Sequence, residues 1–121
     1  MSSYKYLVIY QMALKLAIRV HRFTRKLPDF EKYEIGSQIR RYSMRIKDTI
    51  IEGYGRRKYK GEDIKYLTYS HASCDESIYQ LEATSELYPE LEESKELLRE
   101  YYDLGRKLNY YIVYVENNWI G

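Results

Sequence analysis

Cysteine is almost missing from this chain: Cys74 stands alone. An intramolecular disulfide framework and a cysteine-rich zinc site are both excluded. Proline occurs twice and glycine six times in 121 residues, which argues against an all-β or collagen-like chain. Histidine also occurs twice. A dimetal bundle needs Glu three residues before each ligating His, but Ile18 precedes His21 and Thr68 precedes His71. No metal and no cofactor are therefore expected. No apolar run approaches the ~20 residues of a membrane span. Residues 6–18 lean apolar, but Gln11 and Lys15 interrupt them, and Arg19, Arg22, Arg25 and Lys26 follow where a small-residue cleavage site would stand. The expectation is a cytoplasmic protein with no membrane partner.

What is present is enough apolar material for one core, 45% of a 14.7 kDa chain, the size of a single domain. Tyrosine dominates the aromatics, with sixteen against two Phe and one Trp. An apolar ring with a polar tip suits half-buried surfaces and interfaces. Charge is lopsided although the net is only +2. Residues 1–60 carry fifteen Lys/Arg against five Asp/Glu, a net of +10; residues 61–121 carry five against thirteen, a net of −8. The two halves must attract each other or something else.

The apolar spacing is helical throughout. Ile9, Met12, Ala13, Leu16, Ala17, Val20, Phe23 and Leu27 predict a first helix over 4–27, ended by Pro28. Ile35, Ile39, Tyr42, Ile46, Ile50 and Gly53 predict a second over 34–54, broken by Gly53 and Gly55. Ile64, Leu67, His71, Cys74, Ile78, Leu81, Ser85 and Tyr88 predict a third over 62–87. Leu91, Leu98, Tyr101, Leu104, Leu108, Tyr111 or Ile112, and Val115 predict a fourth over 89–116, with Pro89 in its first turn. Four such helices with short connections form an all-α, single-domain, antiparallel up-down-up-down bundle over 1–121. Lys15, Arg19, Arg22 and Lys26 form a positive stripe whose members repel by about 0.2–0.5 kcal/mol per pair. The acidic stripe Glu93, Glu96, Glu100 and Asp103 is its natural counterpart, because the first and fourth helices are neighbours in such a bundle.

The second helix also carries a motif. Gln38-Ile39-Arg40-Arg41, then Ile46, Ile50 and Glu52-Gly53-Tyr54-Gly55-Arg56, resemble the pattern Gln-x-Arg-Arg … Glu-Gly-x-Gly-Arg of the bacterial 23S rRNA intervening-sequence proteins. Tyr66-Leu67, Ser73, Glu76 and Leu81 extend the similarity into the third helix. Leu7, Tyr10, Gln11, Ala13, Leu16, Ala17, Thr24 and Pro28 extend it into the first. Arg45, Lys47, Thr49, Ile51 and Ala72 depart from the pattern, standing where it has Ser, Pro, Asn, Ala and Gly. The resemblance implies a four-helix bundle, a homo-oligomeric ring (pentameric in family members), a link to RNA, and no defined enzymatic activity. Its motif positions here are Gln38, Arg40, Arg41, Glu52, Gly53, Gly55, Arg56, Ser73 and Glu76.

Three groups of residues are candidates for function. Arg40, Arg41, Arg45, Arg56, Arg57, Lys58 and Lys60 make a basic second helix and connector able to contact RNA phosphates, with Tyr54 and Tyr59 available for stacking on bases. The competing reading pairs the basic half with the acidic half and leaves an oligomeric adaptor for a protein partner. Glu52 with Arg41 or Arg56, and Ser73 with Glu76, form either a pocket or a structural network between the second and third helices. Gly53 and Gly55 supply backbone freedom, since no P-loop lysine or hydroxyl accompanies them. His71 and Cys74 share a helical face, but no third orienting group is evident, so no catalytic residue is assigned and the protein is not expected to be an enzyme. Tyr102, Tyr110 and Tyr114 with Trp119 lie beside the filled core face and predict a subunit interface.

Overall fold

Each of the four apolar stripes needs cover, and the helices cover one another. The computed structural model describes residues 3–118, and no strand occurs among them. The helices are α1 (Val8–Phe23), a one-turn α2 (Asp29–Lys32), α3 (Ile35–Gly55), α4 (Lys60–Leu87) and α5 (Glu93–Asn118). In a closed ring α1 packs on α3, α3 on α4, α4 on α5 and α5 on α1, with the α3–α4 contact the most extensive. This is the all-α up-down-up-down bundle that the spacing predicts. Its core holds Leu16, Val20 and Phe23 from α1, Ile39, Ile46 and Ile50 from α3, Leu67, Cys74 and Leu81 from α4, and Leu97, Tyr101, Leu104 and Leu108 from α5.

Several boundaries and faces differ from the sequence expectation. The first helix is not continuous over 4–27. Tyr4–Tyr6 forms a 3₁₀ turn, Leu7 is extended, and Thr24–Lys26 is again 3₁₀. The first break is held by the Gln11 side chain, which donates to the Lys5 carbonyl at 2.9 Å, and by Tyr4 packed edge-on against Tyr10 at 5.0 Å. The fourth long helix starts at Glu93 rather than Pro89, because residues 88–92 turn. There the Tyr88 hydroxyl donates to Glu31 at 2.6 Å, which clasps the short α2 and pushes the phenol pKa up to about 12.

The α4 seam differs most. His71, Ile64, Ser85 and Tyr88 are only half-buried, while Ser70, Ser73, Ser77 and Thr84 are buried. A buried hydroxyl must find an acceptor. Ser77 donates to the Ser73 carbonyl at 3.1 Å, Thr84 to Gln80 at 2.7 Å, and Ser70 crosses to the Ile46 carbonyl of α3 at 3.0 Å. Small satisfied hydroxyls thus let α4 sit between α3 and α5 with little apolar asymmetry of its own. Of the adjacent pair Leu97 and Leu98 on α5, Leu97 is the buried one and Leu98 is half-exposed.

Gly53 does not break the helix, since α3 continues past it and ends at Gly55. Gly53 is required for close approach. A Cβ there would lie 3.0 Å from Asp63 Oδ1 and 3.2 Å from both the Asp63 carbonyl oxygen and Tyr66 Cβ. At Gly55 a Cβ meets nothing within 4 Å. Gly53→Ala is therefore expected to destabilise the fold by about 1–2 kcal/mol through overpacking. Gly55→Ala is expected to be neutral or to stabilise by a few tenths to about 1 kcal/mol. Urea midpoints of the two variants measured side by side check this, and equal midpoints would contradict it.

Candidate nucleic-acid interface

Part of the positive stripe of the first helix is answered within the chain, while its Lys15 and Arg22 have no ion pair among the described residues. Arg19 reaches Glu93 at 3.7 Å and Glu96 at 3.6 Å and also pairs with Glu100, while Lys26 meets Glu93 at 3.0 Å. Among the described residues, the facing stripes anticipated for the first and fourth helices thus meet through Arg19 and Lys26 only. Asp103 is not part of that contact; it faces Arg106 and Lys107 on its own helix at 3.5 and 3.3 Å.

Along α3 the balance is different. Arg41 and Arg45 are exposed and line an open groove of about 540 Å³ with Met44, Tyr66 and Tyr69. The two carboxylates in that groove are already engaged, Asp48 with Lys47 at 2.7 Å and Glu52 with Arg56 at 2.7 Å. Arg56 also reaches Glu62 at 3.3 Å and lies 5.0 Å over the Tyr66 ring. Its hydrogen bond to Glu52, foremost, holds the guanidinium above its usual pKa. Among the described residues no ion pair engages Arg41, Arg45, Lys58 or Lys60.

In the connector between α3 and α4, Arg57 donates to the Tyr54 carbonyl at 2.8 Å, and its guanidinium lies 3.9 Å from the Tyr54 ring centre. Lys58 lies 5.7 Å from the centre of the Tyr59 ring, which is exposed. The connector therefore presents cations and aromatic faces together, the combination that single-stranded nucleic acid requires.

Not every residue of the sequence grouping reaches this surface. Arg40 turns to the opposite end of the bundle, donating to Thr24 Oγ1 at 2.9 Å and to the Lys32 carbonyl at 2.8 Å. Glu52 pairs with Arg56 and not with Arg41. Ser73 is buried, Glu76 is half-buried, and no bond joins them; Gln38 is exposed. Thr49, at the motif's Asn position, bonds the Arg45 carbonyl at 2.7 Å and also Ser70, so this position ties α3 to α4.

His71 and Cys74 do not meet as a nucleophile pair. His71 lies 3.6 Å from Asp75, whereas Cys74 donates to the Tyr101 carbonyl at 3.3 Å. Burial pushes the Cys74 thiol up to about 12, which leaves it protonated and unreactive at neutral pH. Among the described residues no three His, Cys, Asp or Glu side chains converge as a metal site, and no helix is long and apolar enough to cross a membrane.

The tyrosines expected at an interface fall into separate places. Tyr110 and Tyr114 line an apolar groove of about 470 Å³ with Tyr6, Leu7 and Val8. Tyr102 faces a different groove between α4 and α5 and donates to Glu82 at 2.8 Å. Trp119 lies outside the described residues. Sequence reasoning also missed a basic hollow near the end of α1, lined by Arg25, Lys32 and Tyr33 together with Arg40. Its residues come from three successive elements and share no periodicity.

Fold and surface together define a helical-bundle protein with a cationic, tyrosine-bearing hairpin connector. The chain belongs to the 23S rRNA-intervening sequence protein family, whose sequence model matches residues 5–110. Among curated proteins none matches the chain.

Proposed function

We propose that this chain is a non-enzymatic, homo-oligomeric cytoplasmic protein that engages RNA or a ribonucleoprotein. The contact surface is the exposed edge of α3 with the connector that follows: Arg41, Arg45, Arg57, Lys58 and Lys60, with Tyr59 beside them. One observation carries the reading. The acidic half pairs with Arg19 of α1 and with Lys26 in the turn that follows it, but Arg41, Arg45, Lys58 and Lys60 have no carboxylate partner among the described residues. Family membership adds the link to ribosomal RNA genes.

Titration with a fluorescent single-stranded RNA across a salt series tests this. Affinity is expected to fall steeply with salt. A variant carrying Arg41→Gln, Arg45→Gln, Lys58→Gln and Lys60→Gln should lower the log–log slope by about 3, at roughly 0.7 for each phosphate no longer neutralised. Absent or salt-independent binding by the unaltered protein would overturn the reading.

A second reading, an oligomeric adaptor for a protein partner, is favoured by the apolar groove of Tyr6, Leu7, Val8, Tyr110 and Tyr114. Exposed rings at such a groove suit a subunit contact, and family resemblance suggests a ring of five copies. Sedimentation as a monomer at micromolar concentration would contradict self-association in either reading.

A further inference from the structure

The hollow near the end of α1 is lined by His21, Thr24, Arg25, Lys32, Tyr33 and Arg40, encloses about 280 Å³, and includes no carboxylate in its lining. Its floor is built rather than incidental. Arg40 is half-buried and fixed by two bonds, to Thr24 Oγ1 at 2.9 Å and to the Lys32 carbonyl at 2.8 Å. Thr24 is itself buried and donates its hydroxyl to the His21 carbonyl at 3.2 Å.

Gly36 makes room for the guanidinium, since a Cβ there would stand 3.2 Å from Arg40 Nη1. A guanidinium has five N–H donors, so three remain after the two internal bonds. Arg25 is exposed and has no ion pair among the described residues. Lys32 meets only Asp29, at 3.1 Å, and that carboxylate's side chain is 96% exposed. The nearby Glu31 carboxylate is turned away to the Tyr88 hydroxyl. At the rim Tyr33 is 81% exposed, a ring that no neighbour covers.

We propose that this hollow holds a phosphate group of single-stranded RNA, with Arg25, Lys32 and Arg40 as donors and the adjoining base stacked on Tyr33. The inference rests on the RNA-binding reading above and adds to it a second contact at the opposite end of the bundle from the connector. Planar Arg donors match phosphate oxygens, and base–aromatic stacking requires no particular sequence.

The test is calorimetric titration of the unaltered protein, Arg25→Glu, Tyr33→Ala and the four-fold Gln variant. The probes are inorganic phosphate, uridine 3′,5′-bisphosphate and a ten-residue oligouridylate. Melting temperatures of the single variants should match the unaltered protein, since both side chains are exposed. Arg25→Glu is expected to weaken oligouridylate about 10-fold, and Tyr33→Ala about 5-fold or more, the latter without changing inorganic phosphate binding.

If oligouridylate binds all but the four-fold variant equally, the hollow is not an RNA contact and the connector reading stands. If oligouridylate fails to bind the unaltered protein while the bisphosphate or phosphate binds and loses affinity in Arg25→Glu, the ligand is a free phosphate compound. The RNA source is then overturned together with the connector reading. Binding of none of the three probes overturns both.

Discussion

Truncating Tyr101 to alanine is expected to lower the unfolding free energy by about 3–5 kcal/mol, a large part of the 5–15 kcal/mol typical of a folded domain. The ring is wholly buried in the core, and alanine leaves a void that neighbouring helices fill only in part. Tyr101→Phe is expected to behave oppositely. The hydroxyl is buried without a hydrogen-bond partner among the described residues. Ser43, its neighbour, gives its own proton to the Arg40 carbonyl at 2.9 Å. Burial accordingly drives the phenol pKa well above its usual range. Removing an unpaired buried oxygen while keeping the ring is neutral or stabilising by up to about 1 kcal/mol. Guanidinium denaturation of both variants checks the pair; a phenylalanine variant less stable by more than about 1 kcal/mol would show that the hydroxyl has a working partner.

Asp63→Asn is expected to stabilise the protein by about 2–3 kcal/mol at neutral pH and by almost nothing near pH 4. Asp63 lies in the first turn of α4, 5% exposed, beneath Gly53. Burial pushes its carboxyl up to about 6, and the Arg57 charge pulls it only part of the way back. An unfolded aspartate titrates near 3.9. Between those values the folded state binds more protons than the unfolded state, so stability declines as pH rises from about 4 to about 6 and then levels off. Two units correspond to about 2.7 kcal/mol, and the positive end of α4 favours the lower part of the range. The asparagine variant lacks this titration, so the stability difference between the two proteins should grow across that window. A difference constant from pH 4 to 7.5 would sink the assignment.

The basic face shows how far spacing along one helix can be trusted. Arg40 and Arg41 are adjacent in a motif and read from the sequence as one surface. In the folded chain Arg41 lines the α3–α4 groove while Arg40 reaches back to Thr24 and Lys32. Neighbouring residues on a helix point about 100° apart, and which neighbour fills each direction is set by the connector between α1 and α3. Gly53 teaches the same lesson. Glycine reads locally as a helix breaker, yet here the missing Cβ is needed because another helix's Asp63 occupies that space.

The amino-acid order alone determined that four helices form and fold back on one another, and that Arg19 and Lys26 meet the acids of α5. Apolar periodicity and charge sign act within a few turns of one helix, so both are legible without coordinates. Only the tertiary structure decided which serines of α4 are interior, where Arg40 points, how the tyrosines divide between two grooves, and that Arg25, Lys32 and Tyr33 share a hollow. Each of these depends on atoms contributed by a different helix, and no spacing along one helix encodes what lies across the gap.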